Sequence, residues 1–548
     1  MKPGLLFTVV LSALPAFCAS ETILIHGHIF TGDASQKWAA AIAITGSRID
    51  AVGSDAEALK LKGGKTKIID LEGRTVVPGF VDSHTHMWFG ALALHGFNLA
   101  TPELWIDPKT EAAAFAAKVK EYAASHPKDK VLFGRAVFAN DVTHELLDQA
   151  APDRPVVVHA ATEHTYWVNQ KAMELAKIGT EPVADPDIEK FIVRDANRRP
   201  TGVFRESSMQ LIERALPAQT MAEKMEWMRE AARYLNRYGI TSVTNATGSL
   251  EEIQIYGALR DKHQLTVRTK TAFGSVAVKH QLTPEFLAQL DKARTTYHDD
   301  WVSANLVKFF ADGAGGPPMY EPAELQRLYA ELDKRGYQIM THALGAGPAK
   351  MTLDAYEAAA QQNGARDRRF RVEHGINIAA TDVARFPKLG VSVSMQPAFC
   401  CFADGPGGGT NSYKSFEDNG TNLAFGSDWP CSWPPDPIAS IQQAATRAQR
   451  VLFTKPTPGA EVKYVTPEQR ITVEQGVAAY TRGGAWERFS EEKTGTLEKG
   501  KEADLVVLTE DIFAARPENV GAARVRMTMV GGKTVYQAGQ QEGKVPNR

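Results

Sequence analysis

Cysteine is scarce in this chain, with four among 548 residues, at positions 18, 400, 401 and 431. So few cannot build a disulfide framework, and the length is ample for a core of packed side chains to hold the fold instead. An excess of one charge is lacking too: 62 Lys and Arg stand against 64 Asp and Glu, for a net charge of −2. Without a basic excess or a Lys/Arg run, a role along nucleic-acid phosphates is excluded. No internal repeat or low-complexity tract occurs, which excludes a repeat array. Long apolar runs are missing beyond the first twenty residues, so no membrane span is expected. Within those twenty, Lys2 precedes the apolar run from Leu5 to Leu14, and the small residues Cys18-Ala-Ser20 follow. That is the layout of a cleavable signal peptide over residues 1–20, which predicts a periplasmic or secreted protein. Phe17 before Cys18 is a poor fit to lipoprotein processing.

What is present begins with two histidines. His84 and His86 stand at the end of the apolar run Thr75-Val-Val-Pro-Gly-Phe-Val81. On a strand, residues two apart share a face, so both imidazoles emerge together where the strand ends. Four later β-branched or aromatic runs also stop on a metal-competent side chain. They carry Lys308 in Asn305-Leu-Val-Lys-Phe-Phe310, His342 in Tyr337-Gln-Ile-Met-Thr-His342, His374 in Phe370-Arg-Val-Glu-His374, and Asp428 in Leu423-Ala-Phe-Gly-Ser-Asp428. Further strand candidates at Gly239–Asn245, Leu265–Phe273 and Val391–Gln396 bring the set to eight, separated by stretches long enough for helices. Eight alternations predict an α/β fold, the (β/α)8 TIM barrel, whose chemistry gathers at the carboxyl ends of the strands. His84, His86, Lys308, His342, His374 and Asp428 are therefore expected to converge on one metal site.

These segments carry a resemblance. Pro78-Gly-Phe-Val-Asp-Ser-His-Thr-His86, Val307-Lys-Phe-Phe-Ala-Asp-Gly313, Thr341-His-Ala-Leu-Gly345, Arg371-Val-Glu-His374 and Gly426-Ser-Asp-Trp-Pro430 resemble, in order, the signatures of the amidohydrolase superfamily of metal-dependent hydrolases. Within it the chain is most similar to the N-substituted formamide deformylase-like branch, amidohydrolase family 3. The resemblance implies that His84 and His86 hold one metal and His342 and His374 a second. It implies further that Lys308, carboxylated by carbon dioxide, bridges the two, and that Asp428 contacts metal and water as the general base. The ligand types suit zinc, one or two ions per chain, with other divalent metals open. The other reading of Lys308 is a packed or salt-bridged lysine beside a single metal. Two departures from the branch, Ala346 and Asn245 at positions usually acidic, bear on substrate preference and leave the metal set intact.

The remaining segments are expected to frame this barrel. Short strands in residues 21–74, with the tail 485–548 and its Gly531-Gly532 turn, are read as one composite β-sandwich made from both ends of the chain. Residues 75–484 form the barrel, with 98–220 as a subdomain inserted after its first strand, because the roughly 150 residues between that strand and the second, near Gly239, are far too many for one connection. The inserted segments Glu163-His-Thr-Tyr-Trp and Thr201-Gly-Val-Phe-Arg-Glu206 resemble branch-specific ones, which makes His164 and Glu206 candidate substrate contacts, with Trp429 a third; a capping or packing role for His164 stays open. Glycine-rich Asp404–Thr410 follows the seventh strand rather than opening a helix, and is read as a mobile active-site loop, not a phosphate loop. Cys431, past the eighth strand, is expected to pair with Cys400 or Cys401, past the seventh; three reduced, packed cysteines are the alternative. The function expected is an exported metal-dependent hydrolase of a non-peptide carbon–nitrogen bond in an amide, N-formyl or cyclic amide small molecule. A metallopeptidase or aminoacylase-type hydrolase, and a non-catalytic binding or regulatory protein, are the alternatives. A homodimer is left open.

Overall fold

The structure is a computed structural model and describes residues 19–99, 112–136, 142–160, 164–274, 282–313, 316–401, 412–449 and 461–539. The leader-like residues 1–18 and the glycine-rich segment 404–410 lie outside the described residues.

Eight parallel strands form the central sheet, in sequence order around the barrel. They are β1 (Phe80–Thr85), β2 (Ile240–Gly248), β3 (Arg268–Phe273), β4 (Val302–Phe310), β5 (Gln338–His342), β6 (Arg371–Glu373), β7 (Ser392–Met395) and β8 (Leu423–Phe425). Most of their residues are buried, as expected of parallel strands enclosed by helices on one side and packed against each other on the other. The last gap, between β8 and β1, is bridged just beyond the strands. Thr85 pairs with Trp429, Asp428 N donates to His84 O at 2.7 Å, and His86 N donates to Trp429 O at 2.7 Å. Gly426 permits this approach, because a Cβ there would lie 2.5 Å from His84 N.

One expected strand divides in two. The run from Thr75 to Val81 breaks at Gly79: Thr75–Pro78 pairs with His28–Phe30 and Leu505–Leu508, and only Phe80 onward enters the barrel. Close packing explains the break, since a Cβ on Gly79 would lie 2.3 Å from Thr241 Oγ1. Thr75–Pro78 thus belongs to a six-stranded sheet with Lys533–Gln537, Val525–Val530, Leu505–Leu508, His28–Phe30 and Trp38–Ala39. It faces a four-stranded sheet of Ser20–Ile25, Ala41–Thr45, Arg48–Gly53 and Lys62–Asp70. Leu24, Ile42 and Ile44 from one sheet share a core with Val76, Leu505, Val507 and Met529 from the other, so residues from both ends of the chain build one sandwich. Gly531 and Gly532 make its tight turn with φ of 52° and 72°, the left-handed pair a two-residue hairpin needs.

A third sheet of six strands lies between β1 and β2 in sequence, in the order Ile192–Arg194, Pro200–Arg205, Thr165–Val168, Val156–Ala160, Leu132–Ala136, Phe97–Leu99. It has separate apolar clusters, one around Phe115, Leu132 and Val158 and another around Tyr166, Met173 and Phe204. Helix α1 (Met87–His95) leaves β1 toward this sheet and packs against α2 (Met221–Asn236).

Candidate metal centre

The side chains that end these strands meet at one place. His84, within β1, has Nε2 3.5 Å from Asp428 Oδ1. His86 follows the strand as the residue before α1, with Nε2 3.0 Å from the same oxygen. His374 Nδ1 lies 4.0 Å from Asp428 Oδ2, and its ring centroid is 4.9 Å from that of His84 and 4.6 Å from that of His342. Lys308 Nζ is 3.4 Å from His84 Nε2 and 4.7 Å from the centre of the Phe310 ring. The six residues expected to converge do so. His84, His374 and Asp428 each offer a ligand atom, all within 4.8 Å of one another.

Two of these residues are aimed by unusual backbone. His374 has φ 71° and Asp428 φ 55°, a region non-glycine residues hold only where the surroundings impose it, and one that recurs at active sites. All six are buried. Burial, with nearby positive charge, holds His84 and His342 well below the usual imidazole pKa and brings His374 to about 4. Burial thus favours their neutral form, which keeps a lone pair for a cation. Burial raises Asp428, but His84, His86 and His374 outweigh it and hold the carboxylate ionised. Burial brings Lys308 down to about 8. His342 Nε2 is buried without a hydrogen-bond partner among the described residues, with Asp312 Oδ2 3.9 Å away. Neutral imidazoles, an ionised carboxylate and an orphaned buried nitrogen fit a divalent cation.

Around these groups stands a set of supports that the sequence reading missed. Glu373 Oε2 accepts from His84 Nδ1 at 2.5 Å and is held by Arg371 through two bonds of 2.9 Å, while Arg371 reaches Glu487 at 3.3 Å. Asp82 accepts from Ser427 N at 2.9 Å and Ser427 Oγ at 2.5 Å, tying β1 to the segment that carries Asp428. Burial pushes the Asp82 carboxyl up to about 7 against those bonds. Gln396 Oε1 pairs with His374 Nδ1 at 2.7 Å. Asn245 accepts from Met87 N at 3.0 Å and donates to Glu252 at 2.9 Å, so it anchors the start of α1. The one available signal was charge inside otherwise apolar strands, at Arg371, Glu373 and Asp82.

The candidate substrate residues divide. His164 and Glu206 sit together, Nδ1 to Oε1 at 3.0 Å, with the His164 ring 5.4 Å from that of His342. Burial lowers the His164 pKa, but the bond and charge of Glu206 raise it more. Trp429 is elsewhere. Its ring is wholly buried, stacked on Tyr234 at 5.7 Å and pressed onto α1, where a Cβ on Gly90 would lie 2.0 Å from it. Backbone pairing at the barrel seam turns this side chain into the core, which corrects its expected place in the pocket. The cysteine expectation is corrected as well: the disulfide joins Cys400 to Cys401, and Cys431 is outside it. Cys431 belongs to the turn that follows Asp428, its N–H donating to Asp428 O and its carbonyl accepting from Arg135.

Comparison with known proteins agrees with this fold. The sequence profile described as amidohydrolase family matches residues 67–536. Protein LONG AFTER FAR-RED 3 of Arabidopsis thaliana is 27% identical over 95% of this chain and 92% of its own. The N-substituted formamide deformylase of Arthrobacter pascens is 24% identical over 94% and 98%. Among solved structures, an uncharacterized metal-dependent hydrolase from Pyrococcus horikoshii superposes with a TM-score of 0.69 at 21% identity, covering 90% of this chain and 99% of that one. Profile, length of match and fold agree, and the chain belongs to the amidohydrolase family.

Proposed function

We propose that the protein is an exported hydrolase that cleaves the carbon–nitrogen bond of a small amide, N-formyl or cyclic amide substrate at a zinc centre. The single observation that carries this reading is the approach of Asp428, held ionised, to three buried histidines at a barrel mouth. His84 and His86 would hold one ion, and His342 and His374 would hold a second. Lys308 would serve as a further ligand once its neutral amine has added to carbon dioxide, forming the N–C bond of a carbamate and releasing a proton. Burial that brings the ammonium down to about 8 supports this step, because a larger share of the amine is then neutral. The ion, when bound, supplies a water acidified toward neutrality and polarises the substrate carbonyl. Asp428 would take a proton from the attacking water and deliver it to the leaving nitrogen. Residues 1–20 support export. The name of the Arthrobacter pascens relative supports formamides as the first substrates to try.

The test combines metal analysis with two variants. Purified protein should carry one to two divalent ions per chain, and chelation should abolish hydrolysis. Asp428→Asn should keep most of the metal while turnover falls by about 10²-fold or more, the scale of a lost proton-transfer group. Lys308→Ala should fall toward one ion per chain. A metal-free, fully active protein ends this reading; full metal and activity in Lys308→Ala ends the bridged pair.

A further inference from the structure

The barrel strands supply every residue assigned to the metal, yet one pair from the inserted sheet reaches the same place. His164 immediately precedes the strand Thr165–Val168, and Glu206 immediately follows Pro200–Arg205. The antiparallel register sets Thr165 opposite Arg205, so the two residues leave the sheet side by side. Their clasp is reciprocal. Glu206 N donates to His164 O at 3.1 Å, and His164 Nδ1 lies 3.0 and 3.2 Å from the two carboxylate oxygens. Glu206 holds this pose with φ 43°, a left-handed conformation that a non-glycine residue keeps only under constraint. Its carboxylate is seated on the loop after β4, where a Cβ on Gly313 would lie 3.0 Å from Oε1.

The other edge of the imidazole is what matters. Its ring lies 5.4 Å from His342 and 6.3 Å from Phe310, over the mouth of the barrel. Nδ1 is taken by Glu206, while Nε2 has no hydrogen-bond partner among the described residues, and the side chain keeps 19% exposure. An imidazole locked at one nitrogen and open at the other is built to meet a polar group that arrives from outside. Solvent reaches this edge of the ring, so a polar group entering the mouth can take the place of water at Nε2.

We propose that His164 is a catalytic residue contributed by the insert, contacting the scissile amide group through Nε2, and that Glu206 is the residue that positions it. The proposal rests on the hydrolase reading above. It places part of the amide-recognition machinery on the inserted sheet rather than on the barrel.

The experiment uses the full-length, zinc-loaded protein and compares His164→Ala, Glu206→Gln and the double variant. Turnover of 4-nitroformanilide, affinity for benzohydroxamate by calorimetry, metal content and melting temperature are measured for each. His164→Ala should lower kcat/KM by about 10²-fold and weaken the hydroxamate by roughly 10-fold, a lost polar contact, with metal content and melting temperature unchanged. Glu206→Gln should show a smaller loss, and the double variant should be no worse than His164→Ala, because Glu206 acts through the ring. Should the anilide not be a substrate, the hydroxamate affinities decide. Wild-type affinity and turnover in His164→Ala overturn the proposal. Multiplying losses in the double variant overturn the role of Glu206, and loss of metal in His164→Ala makes His164 a ligand instead. Failure of the wild type to bind hydroxamate at all counts against the hydrolase reading itself.

Discussion

At the scale of single residues, the centre depends on side chains that touch no reacting atom. His84 presents Nε2 to Asp428 because its other nitrogen is held by Glu373, itself gripped by Arg371. A charged acceptor behind an imidazole fixes its tautomer and strengthens it as a donor to metal. Glu373→Gln keeps the shape and removes the charge, so zinc affinity should fall by roughly 10- to 100-fold, read by titration against a competing chelator. Unchanged affinity would show that the orientation of His84 needs no charged partner. The six ligand-type residues were legible because each lies in or at the end of a short apolar run, a local pattern. Glu373 and Asp82 were not, since their roles exist only through partners 289 and 345 residues away.

Elements set the position of the residue that closes the site. Helix α1 begins directly after His86, with its first amide held by Asn245, and lies on the ring of Trp429 next to Asp428. Gly90 makes that contact possible. Gly90→Ala should force the helix and the seam segment apart, costing about 1–3 kcal/mol as overpacked cores do. Lower melting temperature and lower turnover should appear together, in calorimetry and steady-state kinetics. A variant that melts lower but turns over normally would uncouple α1 from Asp428. All eight barrel strands were legible from their composition. Their ends were less so: the run from Thr75 to Val81 serves two sheets and changes partners at Gly79, where only glycine fits beside Thr241.

For the molecule as a whole, the parts are joined by buried charge. Arg268 of β3 reaches Asp504 at 2.8 Å and Glu502 at 2.7 Å, and Gly531 N donates to the same Asp504 at 2.7 Å, locking barrel to sandwich. A second buried acid contributes to the pH dependence of stability. Burial pushes Glu252, in the first turn of the helix Leu250–Asp261, from 4.5 up to about 8 against its bond from Asn245. The folded chain therefore keeps a proton that the unfolded chain has released above pH 4.5. Its contribution to stability falls as pH rises from there to about 8, by about 1.4 kcal/mol per unit for one proton. Glu252→Gln, neutral throughout, should flatten the fall in melting temperature between pH 5 and 8. Equal slopes for both proteins would show that Glu252 is ionised in the fold.

Sequence alone determined the barrel, the sandwich drawn from both ends and the residues that end each strand, because apolar runs, spacing and turn residues are local properties of the chain. Only the tertiary structure decided where side chains point once a strand has ended. The left-handed turns at His374 and Asp428 aim both groups inward, while the seam pairing of Thr85 with Trp429 sends the indole into the core. It also decided that Cys400 pairs with its neighbour rather than with Cys431, which the turn after Asp428 holds through its own backbone bonds. Such directions follow from contacts between segments hundreds of residues apart, and no local pattern encodes them.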